Sequence, residues 1–276
     1  MRIDAHQHFW NFDPVRDTWI DETMVVLRRD FLPADLQPLL EAHHIDGCVA
    51  VQADQSESET RFLLDLAAKY DFIKAVVGWV DLSAYNIGER LAYWKKESKL
   101  AGFRHILQSE PMEKMRDKNF RAGIANLASY GFTYDVLIYH TQLAAAMDLI
   151  DAFPNQPFVV DHLAKPAIGK GTLEPWRAQM RELGKRPHVM CKLSGMITEA
   201  DHTRWRLEDL EPFMETVLES FGPKRLMFGS DWPVCLLAGD YKRVVSSVES
   251  FISRLSPTEQ SDIMGATACQ FYKITN

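Results

Sequence analysis

The side chains in this sequence best suited to chemistry stand in short clusters far apart along the chain. Asp4-x-His6-x-His8 opens it, Arg104-His105 and Asp161-His162 lie in its middle, and Ser230-Asp231-Trp232-Pro233 comes near its end. Two histidines at i, i+2 on a strand end face the same way, so both imidazoles can reach one metal ion or one substrate oxygen. An aspartate of ordinary pKa is ionised at neutral pH and can draw a proton from water. An arginine and further histidines supply donors for an oxygen that gains negative charge. Each cluster also has a structural reading. Asp231 can cap the helix that follows, and Asp4 can orient a neighbour. Arg104 and His105 alternate in direction along a strand, so at most one points straight inward on a regular strand. Lys165, ahead of Pro166, can be a surface-loop residue, and Lys192 can simply pair with a carboxylate. His140, His188 and His202 read as solvated, while His43 and His44 suit the dipole at a helix end.

Clusters so distant in sequence need a scaffold that gathers them. Short apolar, β-branched runs at 2–5, 48–52, 73–80, 102–106, 132–138, 158–161, 189–193 and 225–228 alternate with longer amphipathic stretches. Most of the runs are continuous rather than alternating, as strands buried on both faces are. Helical stretches fill the gaps. One starts with Pro33 in its first turn, and another starts at Ser56 with Glu59 at capping-box spacing. The segment 256–272 reads as an extra C-terminal helix with Ser256 as cap and Pro257 first. Eight such units at about 32 residues each match a βαβ repeat. The pattern predicts an α/β fold, one (β/α)8 barrel spanning 1–276. An open doubly wound sheet would bring a glycine-rich turn after the first strand, where this chain reads HQHFWNF.

In such a barrel the chemistry sits at the C-terminal ends of the strands. There stand His6 and His8, then Gln52 and Asp54, then Trp79 and Asp81, then Arg104 and His105. Asp135 and more distantly His140 follow, then Asp161, His162 and Lys165, Lys192 and Ser194, and finally Asp231 and Trp232. Buried polar groups are costly unless satisfied, so stability alone does not explain so many on one rim.

Composition excludes several classes. The 276 residues carry 31 Lys and Arg against 38 Asp and Glu, a formal charge of -7, which disfavours nucleic acid or an anionic membrane as the main partner. No run of about 18 apolar residues predicts a membrane span, and the polar N-terminus lacks a signal peptide's apolar core. Cys48, Cys191, Cys235 and Cys269 are scattered without a C-x-x-C pair, as expected of reduced thiols in a cytoplasmic protein. A G-x-S-x-G elbow and a phosphate-binding G-x-x-x-x-G-K-[ST] loop are both missing.

In order along the chain, RIDAHQHFW, GFRHI, VVDHLAKP, KLSG and FGSDWP resemble the amidohydrolase superfamily. More narrowly they resemble its branch of sugar-lactone hydrolases, which includes fuconolactonase and rhamnonolactonase. The resemblance implies a hydrolase that opens a small-molecule sugar lactone to the aldonic acid. It matches His6 and His8 to the strand 1 metal pair, His162 to the strand 6 histidine and Asp231 to the strand 8 aspartate. Arg104-His105 stands where binuclear members carry a bridging lysine, and strand 5 has no histidine at its end unless His140 serves. A single divalent ion, zinc before others, is therefore the metal implied, and a metal-free mechanism is equally admitted. Asp231 is the expected general base, with His162, Arg104 and His105 beside it in the catalytic set. Gln52 and Lys165, with Arg104 and His105, are expected at sugar hydroxyls, and Trp79, Trp232 and Trp10 as apolar faces for the ring. Two other readings compete: a metal-dependent decarboxylase of the same superfamily, which would want a strand 5 histidine, and a non-catalytic carbohydrate-binding barrel. The sugar, the ring size of the lactone and the oligomeric state stay open.

Overall fold

Eight strands hydrogen-bond in chain order into one parallel sheet in the computed structural model, which describes residues 1–275. They are β1 (Ile3–Gln7), β2 (Gly47–Val51), β3 (Ile73–Gly78), β4 (Leu100–His105), β5 (Thr133–Val136), β6 (Phe158–Val160), β7 (Val189–Leu193) and β8 (Leu226–Phe228). The barrel closes where Gln7 bridges Trp232, through His8 N donating to Trp232 O at 2.7 Å and Asp231 N to His6 O at 2.8 Å. Helices α1 (Pro33–Ala42), α2 (Glu57–Lys69), α3 (Ile87–Trp94), α4 (Lys118–Tyr130), α5 (Leu143–Asp151), α6 (Trp176–Leu183), α7 (Leu207–Phe221) and α8 (Tyr241–Ile252) surround it. Two short ones, α9 (Pro257–Ser261) and α10 (Thr267–Tyr272), end the described chain. None of the helices among the described residues is long and apolar enough to cross a membrane.

The continuous apolar runs are explained by two separate cores. Alternate residues such as Cys48, Ala50, Phe158, Val160, Leu226 and Phe228 pack outward beneath the helices. Their neighbours Val49, Val51, Ala75, Val77, Val159 and Met227 fill the barrel interior. Each fully buried Val, Leu, Phe or Met side chain among them contributes about 1.5–3 kcal/mol by leaving water.

Local departures from the sequence expectation have identifiable causes. β1 runs to Gln7 instead of stopping at residue 5, and its register against β2 shifts between Asp4 and Gln7. Ile3 and Ala5 belong to the interior core, yet His6 also faces the interior, so this irregularity re-aims the strand end and brings His6 and His8 into the mouth together. Asp4 instead turns outward, accepting from Ser230 N and the Tyr241 hydroxyl. Ser56 caps α2 through Glu59 N, but the Glu59 carboxylate leaves the box to accept from Ala53 N. Ser256 and Glu259 form a complete capping box at α9. The helix expected over 256–272 breaks at a π turn, Asp262–Ala266, where Gly265 lies against the Met1–Ile3 backbone; a Cβ there would stand 2.2 Å from Met1 O. The break seats α10 under the barrel, so that Ala268, Phe271 and Tyr272 close its floor.

Candidate active site

At the C-terminal mouth three imidazoles surround one carboxylate. Asp231 Oδ1 lies 3.8 Å from His6 Nε2, 3.5 Å from His8 Nε2 and 3.8 Å from His162 Nε2. Three different loops and strands deliver them. His6 comes from β1 and His8 from just beyond it, with His8 Nδ1 donating to Val51 O at 2.7 Å and so turning Nε2 inward. His162 begins a left-handed turn in which His162, Leu163, Ala164 and Lys165 have φ of 54°, 53°, 59° and 48°. Four consecutive non-glycine residues in this region are strained, at about 1–2 kcal/mol each. Tertiary bonds hold them: Trp176 Nε1 donates to Leu163 O at 2.8 Å, His140 Nδ1 to Lys165 O at 2.8 Å, and His162 Nδ1 pairs with Ser194 Oγ at 2.8 Å. Gly195 is required beside them, having φ of 60° and lying so near that a Cβ would stand 2.5 Å from His162 Nδ1. Asp231 is itself left-handed, with φ of 57°.

Beneath this group lies a buried ionic layer. Arg104 Nη1 donates to Asp161 Oδ2 at 3.1 Å and stands 3.2 Å from His6 Nε2. Lys192 Nζ is 2.6 Å from Asp135 Oδ2, 2.9 Å from Asp161 Oδ1 and 3.0 Å from His6 Nδ1. The Tyr272 hydroxyl, rising from the floor, donates to Asp135 Oδ2 at 2.8 Å. The sequence put Asp135, Asp161 and Lys192 on this rim but gave Asp135 and Asp161 no part in the catalytic set; the ion pairs that join them to Arg104 and His6 could not be read from spacing.

Burial and charge set the protonation states. Burial pushes Asp231 upward, but the surrounding His162, His8 and His6 outweigh it and leave the carboxyl well below its usual range. Burial lowers His162 to about 4, against the pull of Asp231. Burial, followed by the Lys192 ammonium, holds His6 well below its ordinary value. Asp161 is lowered despite burial, because Lys192, His6 and Arg104 surround it. Asp135 is raised to about 6, since burial exceeds the help of Lys192 and Tyr272. At neutral pH the mouth therefore holds an ionised Asp231 beside neutral His6 and His162 imidazoles.

A cavity of about 240 Å³ opens above, lined by His8, Arg104, His162, Asp231 and Lys165 on its polar parts. Trp19, Ala53, Ile106, Leu137 and Val234 supply apolar wall, and Gln108 and Ser109 complete it. This is smaller than the roughly 300–1,000 Å³ of drug-sized pockets and suits a compact molecule.

Several residues expected at the ligand stand elsewhere. Gln52 is buried and serves Arg104: its Nε2 donates to Arg104 O at 3.1 Å and its own backbone carbonyl accepts from Arg104 Nη2. Strand alternation sends Arg104 inward but His105 outward, where His105 meets Phe120 of α4, Glu110 and the Trp79 indole, which donates to it at 3.2 Å. Neither His105 nor Trp79 borders the cavity. Trp10 and Trp232 both pack edge-on against Phe31, and Trp10 Nε1 donates to Arg29 O at 2.9 Å. These indoles brace the loop after β1 and offer no face to the cavity. Lys165 does line it, with Glu199 3.4 Å away. Lys192 pairs with carboxylates, as its structural reading held.

The donor set also fits a metal ion. A tetrahedral shell with bonds of about 2.0–2.1 Å needs ligand atoms roughly 3.3–3.5 Å apart, near the spacings around Asp231 Oδ1. The ligand atoms of His6, His8 and Asp231 all lie within 4.8 Å of one another. Contacts to Nδ1 of His8 and His162 orient both rings, a common support for ligating histidines.

Known proteins resemble this chain over its whole length. The L-fucono-1,5-lactonase of Burkholderia multivorans is 44% identical, over 99% of this chain and 96% of its own. The L-fucono-1,5-lactonase of Burkholderia ambifaria is 37% identical over the same shares, 99% and 96%. A crystal structure of a Burkholderia multivorans amidohydrolase with bound zinc superposes with a TM-score of 0.97 at 44% identity, covering 100% of both chains. A manganese-bound dihydroxybenzoic acid decarboxylase from Polaromonas shares the fold alone, at 12% identity and a TM-score of 0.70 over 99% of this chain and 96% of its own. The amidohydrolase family profile matches residues 3–274, from the first strand to just beyond the last helix, and this chain belongs to that family.

Proposed function

We propose that this protein is a lactonase that opens a sugar-derived lactone, L-fucono-1,5-lactone or a near relative such as an L-rhamnonolactone, to its aldonic acid. The observation that carries this is an ionised Asp231 held among His6, His8 and His162 at the base of a small cavity with one polar and one apolar side. The names of the two full-length relatives agree with it.

Lactone hydrolysis needs a water to lose a proton, a carbonyl to accept charge and a ring oxygen to regain a proton. Water held by Asp231 attacks the ester carbon and its one proton passes to the Asp231 carboxylate, which has the His162 imidazole 3.8 Å away. The carbonyl electron pair moves onto oxygen. Arg104 borders the cavity beside His6 and serves as donor to that oxyanion. Collapse of the tetrahedral centre breaks the bond to the ring oxygen, which takes the stored proton. The new carboxylic acid then ionises and releases one proton to solvent. A zinc ion, where bound, would sit on His6, His8, His162 and Asp231 and would polarise the carbonyl and acidify water. Arg104 Nη1, already against His6 Nε2, gives the metal-free arrangement a cation of its own. The four cysteines stand as free thiols, which supports a reducing, cytoplasmic setting.

Proton release from a panel of sugar lactones, followed with a pH indicator before and after verified metal removal, tests this. Rapid hydrolysis of one stereochemical group is expected. Silence across the panel from folded, metal-replete protein overturns it and brings the decarboxylase and the binding barrel forward.

A further inference from the structure

The tryptophans expected as apolar faces for a sugar ring, Trp10, Trp79 and Trp232, do not border the cavity. Among the described residues, which include all seven tryptophans, Trp19 is the one that does. It lies in the long loop between β1 and α1 and is 41% exposed, whereas Trp10 and Trp232 are 2% exposed. Exposure alone says little, since Val15, Val25 and Tyr85 are more exposed still. Trp19 differs in what holds it. Trp10 N donates to Phe31 O at 3.0 Å and Phe31 N to Trp10 O at 2.9 Å, which closes the loop at its base. Inside the loop Asp17 N donates to Asp13 O at 2.8 Å, and Asp13 N to Asp17 Oδ2 at 2.9 Å. Ile20 N donates to Asp17 O at 2.9 Å, bracketing Trp19 in a turn, and the Ile20 side chain is buried. The Trp19 ring stands edge-on to that of Trp10, with centroids 5.8 Å apart and planes at 87°. An indole braced through backbone and ring, with its open surface on a cavity, is a preorganised apolar platform.

Ligand chemistry supplies the rest. A sugar lactone carries its carbonyl and hydroxyls around the ring edge and C–H bonds on its faces. Asp231, Arg104 and Lys165 border the same cavity and suit the edge, while a flat indole suits a face and releases water as it is covered. We propose that Trp19 is a substrate-binding residue whose indole packs against the C–H face of the lactone ring. This rests on the lactonase function proposed above. Hydrolysis opens the ring and abolishes that face, so the same contact favours substrate over the open-chain product.

The test is kcat and KM for the lactone, and Ki for its aldonic acid, on the wild-type enzyme and on Trp19→Ala and Trp19→Phe. Trp19→Ala should raise KM by about 10-fold or more with kcat and Ki within about threefold, because a contact made alike to substrate and transition state is lost as binding. Trp19→Phe keeps an aromatic face and should hold KM within about threefold of wild type. Binding is read directly on Asp231→Asn, in which the lactone persists. Adding lactone should change its tryptophan emission, and the change should vanish when Trp19→Phe is added. Trp19→Ala leaving KM within about twofold, or raising KM and Ki by the same factor as a general defect of the cavity would, overturns the proposal and leaves the lactonase function standing. So does an emission change that is missing from Asp231→Asn at saturating lactone or that survives Trp19→Phe. A wild-type enzyme that hydrolyses no sugar lactone overturns the lactonase function, and the role of Trp19 falls with it.

Discussion

The two sides of the barrel mouth are built on different principles. On the β6, β8 and β1 side, Asp231 and the run His162–Lys165 hold left-handed backbone without glycine, and bonds from Trp176, His140 and Ser194 keep them there. On the β4 and β5 side the turn at Leu107–Ser109 has ordinary helical backbone and is tied down by Gln108 N donating to Leu137 O and Gln142 Nε2 donating to Leu107 O. Strain is concentrated where reacting groups must converge within a fraction of an ångström, as strained backbone at active sites generally is. Recognition asks less of the backbone. It asks for a firm platform, which the bonded turn beyond β4 supplies.

The sharpest way to break this division is Asp231→Asn. It keeps the shape of the side chain and removes its charge, so kcat/KM should fall by about 10³-fold with KM and the unfolding curve near wild type. A loss below about tenfold would move the general base elsewhere. Next in size is Gly195→Ala, which forces a Cβ toward His162 at a backbone angle that favours glycine. Steady-state kinetics should show kcat down by about 10- to 100-fold and KM changed less than about threefold, because a displaced catalytic group costs rate more than binding. A rise in KM alone would place His162 on the recognition side.

The third probe concerns the support of the recognition side. Glu59 holds Ala53 N behind the cavity wall, and burial raises its pKa from 4.5 to about 7. A group whose folded pKa lies above its unfolded value supports folding fully below the unfolded value and loses that contribution as pH climbs through the folded one. Urea unfolding should therefore show stability declining between pH 4.5 and about 7, by a few kcal/mol at about 1.4 kcal/mol per unit. Glu59→Gln, which keeps an acceptor for Ala53 N and does not titrate, should flatten that decline. An unchanged slope in the variant would assign it to another group, Asp4 with its pKa of about 6 being the first to examine.

Sequence spacing was enough to anticipate the barrel, the order of its strands, the i, i+2 pair His6 and His8, and Asp231 beyond the last strand. These depend on local periodicity, and periodicity is written in neighbouring residues. Direction was harder to read. His105 and the three tryptophans Trp10, Trp79 and Trp232 had the chemistry for a sugar site, yet alternation and loop packing turn them into the helix layer or against Phe31. Arg104 borders the cavity, whereas Gln52, expected at a sugar hydroxyl, is buried and bonded to Arg104 as its support.

By itself, then, the sequence determined which residue types stand at which strand ends, because burial on both faces demands apolar runs and polar residues mark where those runs stop. Only the tertiary structure decided who meets whom. The irregularity in β1, the left-handed turn at His162 and Lys192 between Asp135 and Asp161 all depend on contacts that exist only once the chain has closed into a ring. Residues as far apart as His6 and Asp231 share a site through that closure, and no local pattern records the distance between them.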